Sequence, residues 1–213
     1  MNVRKEDMLL YGITDRSWLN ERTLSEVVKE SLEGGVTILQ LREKDIDEKF
    51  FVEEAKELKT LCGQYNVPLI INDNVEIAKK IDADGVHLGQ GDMDIEEARK
   101  ILGPEKIIGI TAKTIEQAKE AQMKGADYLG SGAIYTSGTK QNAKRLSVEE
   151  LKSICASVEI PVVAIGGLTY ENIDVLKDSG ISGIAVVSAI YASTDIKTDT
   201  IKLKEKTRKM IGT

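Results

Sequence analysis

A closed α/β barrel, a single (β/α)8 TIM-barrel domain spanning residues 1–213, is the fold this sequence predicts. Two observations lead there. Short β-rich runs alternate with helical patterns along the whole chain, and eight such runs are present. Several runs are continuously apolar, as in Val162-Val163-Ala164-Ile165 and Ile184-Ala185-Val186-Val187, which is the signature of strands covered on both faces. Eight βα units suit closure, and an open doubly wound sheet is the alternative the pattern leaves standing.

In order, the expected strands are 8–14, 36–41, 68–72, 85–88, 107–111, 128–130, 161–165 and 183–187. Pro68 and Pro161 stand at the first residue of a strand, where a missing N–H is tolerated. Between the first two strands, Leu24, Val27, Val28, Ser31 and Leu32 recur at helical spacing behind Thr23, an N-cap with Glu26 three residues on. Gly34-Gly35 stops that helix. Further stripes, Ile46/Phe50/Leu58/Cys62, Ile95/Ala98/Ile101/Leu102, Ile115/Ala118/Ala121 and Leu151/Ile154/Cys155/Val158, read as helix faces packed on a sheet. Segments 82–89, 125–130 and 179–186 echo one another, each turning a helix end straight into a strand, as repeated βα units require.

A chain of 213 residues supports one sizeable core, and with three prolines and no Ser/Gly-rich tract it shows no linker. The net charge of −6 offers a nucleic acid no basic stripe, so nucleic-acid binding is disfavoured and an anionic partner would need local cations. No eighteen apolar residues run together and the first residues lack a cleavage-site pattern, so a cytoplasmic protein without a membrane partner is expected. Cys62 and Cys155 have no CxxC partner and are expected as reduced thiols. A homo-oligomer is left open.

Parallel closure would gather the strand ends on one rim, and the chemistry is written there. Gln40-Leu41-Arg42-Glu43-Lys44 ends the second strand, placing a planar guanidinium fork and a compact ammonium where an anion can be gripped. Asp73 and Asp92 follow the third and fourth strands; two carboxylates there suit Mg²⁺, which takes hard oxygen ligands and completes its shell with water and substrate phosphates. The competing reading makes both aspartates caps of the following helices. Gly166-Gly167 ends the seventh strand and Val187-Ser188 the eighth, where barrels commonly cradle phosphate on backbone N–H groups. Residues 132–145 form the longest polar loop, a lid candidate in which Lys140 could close over an anion. His87 is the sole histidine, so no Ser-His-Asp relay can be assembled; within Val86-His87-Leu88 it reads as a hydrogen-bonded core residue rather than a base.

Taken together, Leu10-Tyr11-Gly12-Ile13-Thr14-Asp15, Gln40-Leu41-Arg42-Glu43-Lys44, Asn72-Asp73, His87-Leu88-Gly89-Gln90-Gly91-Asp92, Thr139-Lys140, the run from Pro161 to Gly167 and Val187-Ser188-Ala189-Ile190 resemble the thiamine phosphate synthase family. The resemblance implies a transferase that joins two small molecules, a hydroxymethylpyrimidine diphosphate and a thiazole phosphate. It also implies that Gln40, Leu41, Arg42, Glu43, Lys44, Asn72, Thr111 and Lys140 hold the diphosphate substrate, with Arg42, Lys44 and Lys140 catalytic and Mg²⁺ on Asp73 and Asp92. Ser137, Gly138, Thr139, Gly167, Val187 and Ser188 would then hold the thiazole phosphate. The chain departs from the family pattern at Ala133, where proline is usual, at Ser137 for threonine, at Thr111 for serine and at Leu168 for isoleucine. A related thiazole tautomerase and an idle phosphate-binding barrel are the rival readings.

Overall fold

In the computed structural model the sheet closes on itself, and residues 3–44, 46–135 and 145–212 are described. Eight strands, β1 (Leu10–Ile13), β2 (Ile38–Leu41), β3 (Leu69–Asn72), β4 (Gly85–Leu88), β5 (Ile107–Thr111), β6 (Tyr128–Gly132), β7 (Val162–Ile165) and β8 (Gly183–Val186), pair in parallel in chain order. The ring shuts where Leu10 pairs with Ile184, which rules out the open sheet. Pro68 and Pro161 fall just outside the strands and use only their carbonyls, accepting from Leu39 N–H at 3.0 Å and Leu129 N–H at 2.9 Å.

The outer ring comprises α1 (Leu24–Glu33), α2 (Glu48–Gln64), α3 (Val75–Lys80), α4 (Ile95–Leu102), α5 (Ile115–Met123), α6 (Val148–Ala156) and, after β8, α7 (Ser188–Tyr191) and α8 (Ile196–Ile211). Between β7 and β8 the crossover is a single 3₁₀ turn, Ile173–Leu176, in place of an α-helix. Thr23 caps α1 as its sequence asks: Glu26 N–H donates to Thr23 Oγ1 at 3.2 Å and Thr23 N–H to Glu26 Oε2 at 2.7 Å. Thr23→Ala is expected to cost about 1 kcal/mol in a denaturant titration, with the barrel intact. In α2 the buried face runs through Phe51, Ala55, Leu58 and Cys62, whereas Phe50, assigned to that stripe from spacing, is 63% exposed. The 3.6-residue period anchored at Cys62 reaches Phe51 and leaves its neighbour facing solvent.

Strand alternation divides the core into two layers. Tyr11, Ile13, Ile38, Ile70, Ile107, Tyr128 and Val163 fill the inside of the barrel, while Leu10, Leu39, Leu41, Leu69, Ile71, Val86 and Leu88 pack outward under the helices. Gly109 makes the interior possible, because a Cβ built there would lie 2.0 Å from Cζ of the Tyr128 ring.

The echoed Asp-containing turns stitch the amino ends of the strands. Asp84, just before β4, accepts from Leu69 N–H at 2.8 Å and from Lys59 Nζ at 2.6 Å. Asp127, just before β6, accepts from Ile108 N–H at 2.9 Å and pairs with Arg99 at 2.8 Å. Both Cys62 and Cys155 are free, and burial pushes their thiols up to about 12 and about 11, so they stay protonated. Among the described residues no helix is long and apolar enough to cross a membrane.

Candidate active site at the carboxyl ends of the strands

Parallel closure delivers the strand ends to one mouth, and a cavity of about 360 Å³ opens there. Of the residues expected from sequence, Gln40, Arg42, Lys44, Asn72, Asp73, Asp92, Thr111, Gly167, Val187 and Ser188 line it. Ser137, Gly138, Thr139 and Lys140 lie outside the described residues. Two members of the expected set turn their side chains away from the cavity. Alternation along β2 turns Leu41 outward, fully buried in the layer beneath the helices, while Gln40 faces in. Glu43 turns back to accept from Arg16 Nε at 2.7 Å, and Arg16 also grips Glu54 at 2.6 Å. Burial raises the Glu43 carboxyl and Arg16 opposes that rise. Neither side chain lines the cavity; Glu43 instead ties the loop that carries Arg42 and Lys44 to the loop after β1.

Asp73 and Asp92 are not the caps of the helices that follow. Asn74 caps α3, its Oδ1 accepting from Ile77 N–H at 2.9 Å, and Asp94 caps α4 by accepting from Glu96 N–H at 2.9 Å. Asp73 leaves β3 at φ 61°, in the left-handed region that aspartate adopts more readily than most residues with a side chain. Asp92 Oδ2 accepts from Gly89 N–H at 2.6 Å, folding the β4 exit loop so that the carboxylate stays at the cavity. Among the described residues no three His, Cys, Asp or Glu side chains gather into a metal cage. A pair of hard-oxygen carboxylates beside cations nevertheless fits Mg²⁺, which typically borrows its remaining ligands from substrate phosphates and water.

Lys113 also lines the cavity and was not singled out from the sequence. The signal was present: it follows Thr111, the last residue of β5, as Arg42 follows the end of β2. Arg42 is held by its backbone, whose N–H donates to Thr14 Oγ1 at 3.0 Å. Across the mouth, Gly166 and Gly167 take φ values of 101° and 61°, and a Cβ at Gly166 would strike Ala133 at 2.5 Å. Asn172 Nδ2 donates to the Gly167 carbonyl at 2.9 Å, fixing this turn.

The cavity floor is a run of hydrogen-bonding side chains. Gln40 Nε2 donates to Tyr11 Oη at 2.8 Å, Tyr11 Oη meets Tyr128 Oη at 2.7 Å, Tyr128 Oη meets His87 Nδ1 at 2.9 Å, and His87 Nε2 meets Thr111 Oγ1 at 3.0 Å. Burial pushes both phenols well above their ordinary range, so both keep their protons. His87 is thus hydrogen-bonded at both ring nitrogens, as its strand context suggests, yet it also borders the cavity.

Comparison with known proteins agrees with this geometry. Residues 10–190 match the family model described as thiamine monophosphate synthase. The chain is 47% identical over 197 residues to the thiamine-phosphate synthase of Clostridium tetani, covering 92% of this chain and 94% of that one. It is 49% identical over 191 residues to the thiamine-phosphate synthase of Methanobrevibacter smithii, covering 90% and 91%. A solved thiamine phosphate pyrophosphorylase from Pyrococcus furiosus superposes with a TM-score of 0.90 at 38% identity, over 98% of this chain and 99% of that one.

Proposed function

Because this chain belongs to the thiamine monophosphate synthase family, we propose that it condenses 4-amino-5-hydroxymethyl-2-methylpyrimidine diphosphate with 4-methyl-5-(2-phosphoethyl)thiazole, giving thiamine phosphate and diphosphate. The observation that carries this reading is the meeting of Asp73 and Asp92 with Arg42, Lys44 and Lys113 on one cavity. Acids alone would repel a diphosphate, and cations alone would bind one without a place for a metal.

Arg42 offers two parallel N–H groups to diphosphate oxygens, and Lys44 and Lys113 add point charges where the leaving group gathers negative charge. Asp73 and Asp92 would hold Mg²⁺, which when bound supplies further charge neutralisation on the leaving diphosphate. The carbon–oxygen bond breaks with its electron pair departing on the diphosphate, and the methylene cation left behind is stabilised by the aminopyrimidine ring. The thiazole nitrogen donates its lone pair to that carbon and closes the carbon–nitrogen bond. No proton is transferred, so the site needs no base. What it must do is hold two rings face to face, and orientation of this kind lowers a barrier substantially.

Gly167, Val187 and Ser188 form the part of the rim suited to the thiazole phosphate, with Ser137, Gly138 and Thr139 joining them on the family pattern. Asn72 and Thr111 would orient the pyrimidine substrate, with Lys140 assigned to the diphosphate by the same pattern. A tautomerase or an idle barrel would have no use for the acids and cations together. Two protonated free thiols suit the reducing cytoplasm, where we place the enzyme.

Mixing purified protein with both substrates tests the reading. Thiamine phosphate and diphosphate should appear with Mg²⁺ and cease with EDTA. Product formation unaffected by EDTA would remove the metal, and no product under either condition would remove the reaction.

A further inference from the structure

Among the described residues, every cation that lines the cavity follows β2 or β5: Arg42, Lys44 and Lys113. The lining supplied by β6, β7, β8 and the turns after them carries no charge among those residues, so an anion seated on that side depends on the backbone. Two consecutive peptides there have fixed orientations. The Gly166 carbonyl accepts from Tyr135 N–H at 3.0 Å, and the Gly167 carbonyl accepts from Asn172 Nδ2 at 2.9 Å. Neither Tyr135 nor Asn172 lines the cavity, whereas Gly166, Gly167 and Leu168 do. Both carbonyls therefore point out of the cavity, and in a trans peptide the N–H points the opposite way from the carbonyl. That turns Gly167 N–H and Leu168 N–H inward. Among the described residues neither of them has an acceptor. Backbone N–H groups gathered on a concave surface are a common means of holding phosphate.

Asn172 is gripped at both ends by groups whose roles cannot be exchanged. Its Oδ1 accepts from Thr169 N–H at 2.8 Å while its Nδ2 donates to the Gly167 carbonyl. One partner can only donate and the other can only accept, so turning the amide over would set N–H against N–H and oxygen against oxygen. Asn172 stands at the N-cap position of the 3₁₀ turn Ile173–Leu176, yet its side chain makes no capping bond there. The amide serves the glycine turn instead.

We infer that Asn172 is a positioning residue: by holding the Gly167 carbonyl it aims Leu168 N–H, beside Gly167 N–H, at the phosphate of the thiazole substrate. This rests on the reading that the cavity takes a thiazole phosphate. Hydrogen bonds from N–H groups to a phosphate are charge-assisted, and donors already held in place need no ordering when the ligand arrives. The two substrates are thereby sorted by chemistry, the diphosphate going to the cations after β2 and β5 and the phosphate monoester to uncharged amides after β7.

Calorimetry on the natural chain and on Asn172→Ala, with the thiazole phosphate in one titration and Mg²⁺ diphosphate in the other, tests the assignment. The Kd for the thiazole phosphate should rise about tenfold or more, the scale of a lost hydrogen bond to a charged group, and the Kd for diphosphate should stay as it is. An unchanged thiazole phosphate affinity, or equal weakening of both ligands, would overturn the positioning role. A second measurement needs no variant. In the ¹⁵N-labelled natural chain the Gly167 and Leu168 amide protons should move downfield with the thiazole phosphate and much less with the dephosphorylated thiazole alcohol. A Leu168 resonance that ignores the phosphate, or answers the alcohol equally, would overturn the cradle even where Asn172→Ala fails to fold. Product formation alongside such a resonance would remove the cradle and leave the proposed function standing, whereas a phosphate-dependent Leu168 shift in a chain that makes no product would do the reverse.

Discussion

Asp92→Asn is expected to lower Mg²⁺-supported turnover by about 10²-fold or more while leaving the affinity for the thiazole phosphate unchanged. The substitution is chosen because asparagine keeps an oxygen for the Gly89 N–H and so preserves the turn after β4. Only the charge is lost. If Asp92 and Asp73 share the metal, half of its acidic coordination disappears, and the midpoint for Mg²⁺ activation should move to higher concentration. Turnover against Mg²⁺ concentration and calorimetry with the thiazole phosphate alone are the two measurements. Parallel loss in both would mean that the diphosphate and thiazole regions of the cavity are not separate, and unaltered Mg²⁺ dependence would dismiss Asp92 as a ligand.

Gly109→Ala is expected to destabilise the fold by about 3 kcal/mol or more, at or beyond the upper end of ordinary overpacking. The new methyl would sit 2.0 Å from Cζ and 2.3 Å from Cε1 of Tyr128. That ring cannot step aside easily, because its hydroxyl is joined to Tyr11 on one side and His87 on the other. Urea unfolding should show the loss. Gly91→Ala, where no atom lies within 4 Å of the added carbon, is the control and should change stability by about 0.5 kcal/mol or less. A Gly109 variant as stable as that control would show that the barrel interior can repack around Tyr128.

Most of the architecture was legible because its signals are local. Continuous apolar runs marked the strands, Thr23 with Glu26 marked a helix start, and prolines marked strand entrances. The crossover between β7 and β8 was not, since a 3₁₀ turn such as Ile173–Leu176 and a short α-helix bury similar residues and differ only in how tightly the backbone winds. At the site, residues one or two positions past a strand end were readable, which is why Arg42, Asp73 and the glycine pair came out of the sequence. Leu41 and Glu43 belong to the same motif, and proximity in sequence does not reveal that their side chains turn away from the cavity. The floor was the least visible part: Tyr11 and Tyr128 are 117 positions apart, and nothing local about either tyrosine announces the other. His87 carried half a signal, as a polar group in an apolar strand, and only barrel closure supplied its two partners.

The aspartate stitches at the amino ends of β3 and β5 divide labour along the barrel axis. Asp84 and Asp127 anchor the strands at the end remote from the cavity, where Lys59 and Arg99 brace them. Tension from a reshaped catalytic loop therefore meets an already tethered frame, and such loops can be lengthened, shortened or exchanged without first renegotiating how the strands are held. Evolution, or an engineer, has one end of this cylinder to write on and another that keeps the page still.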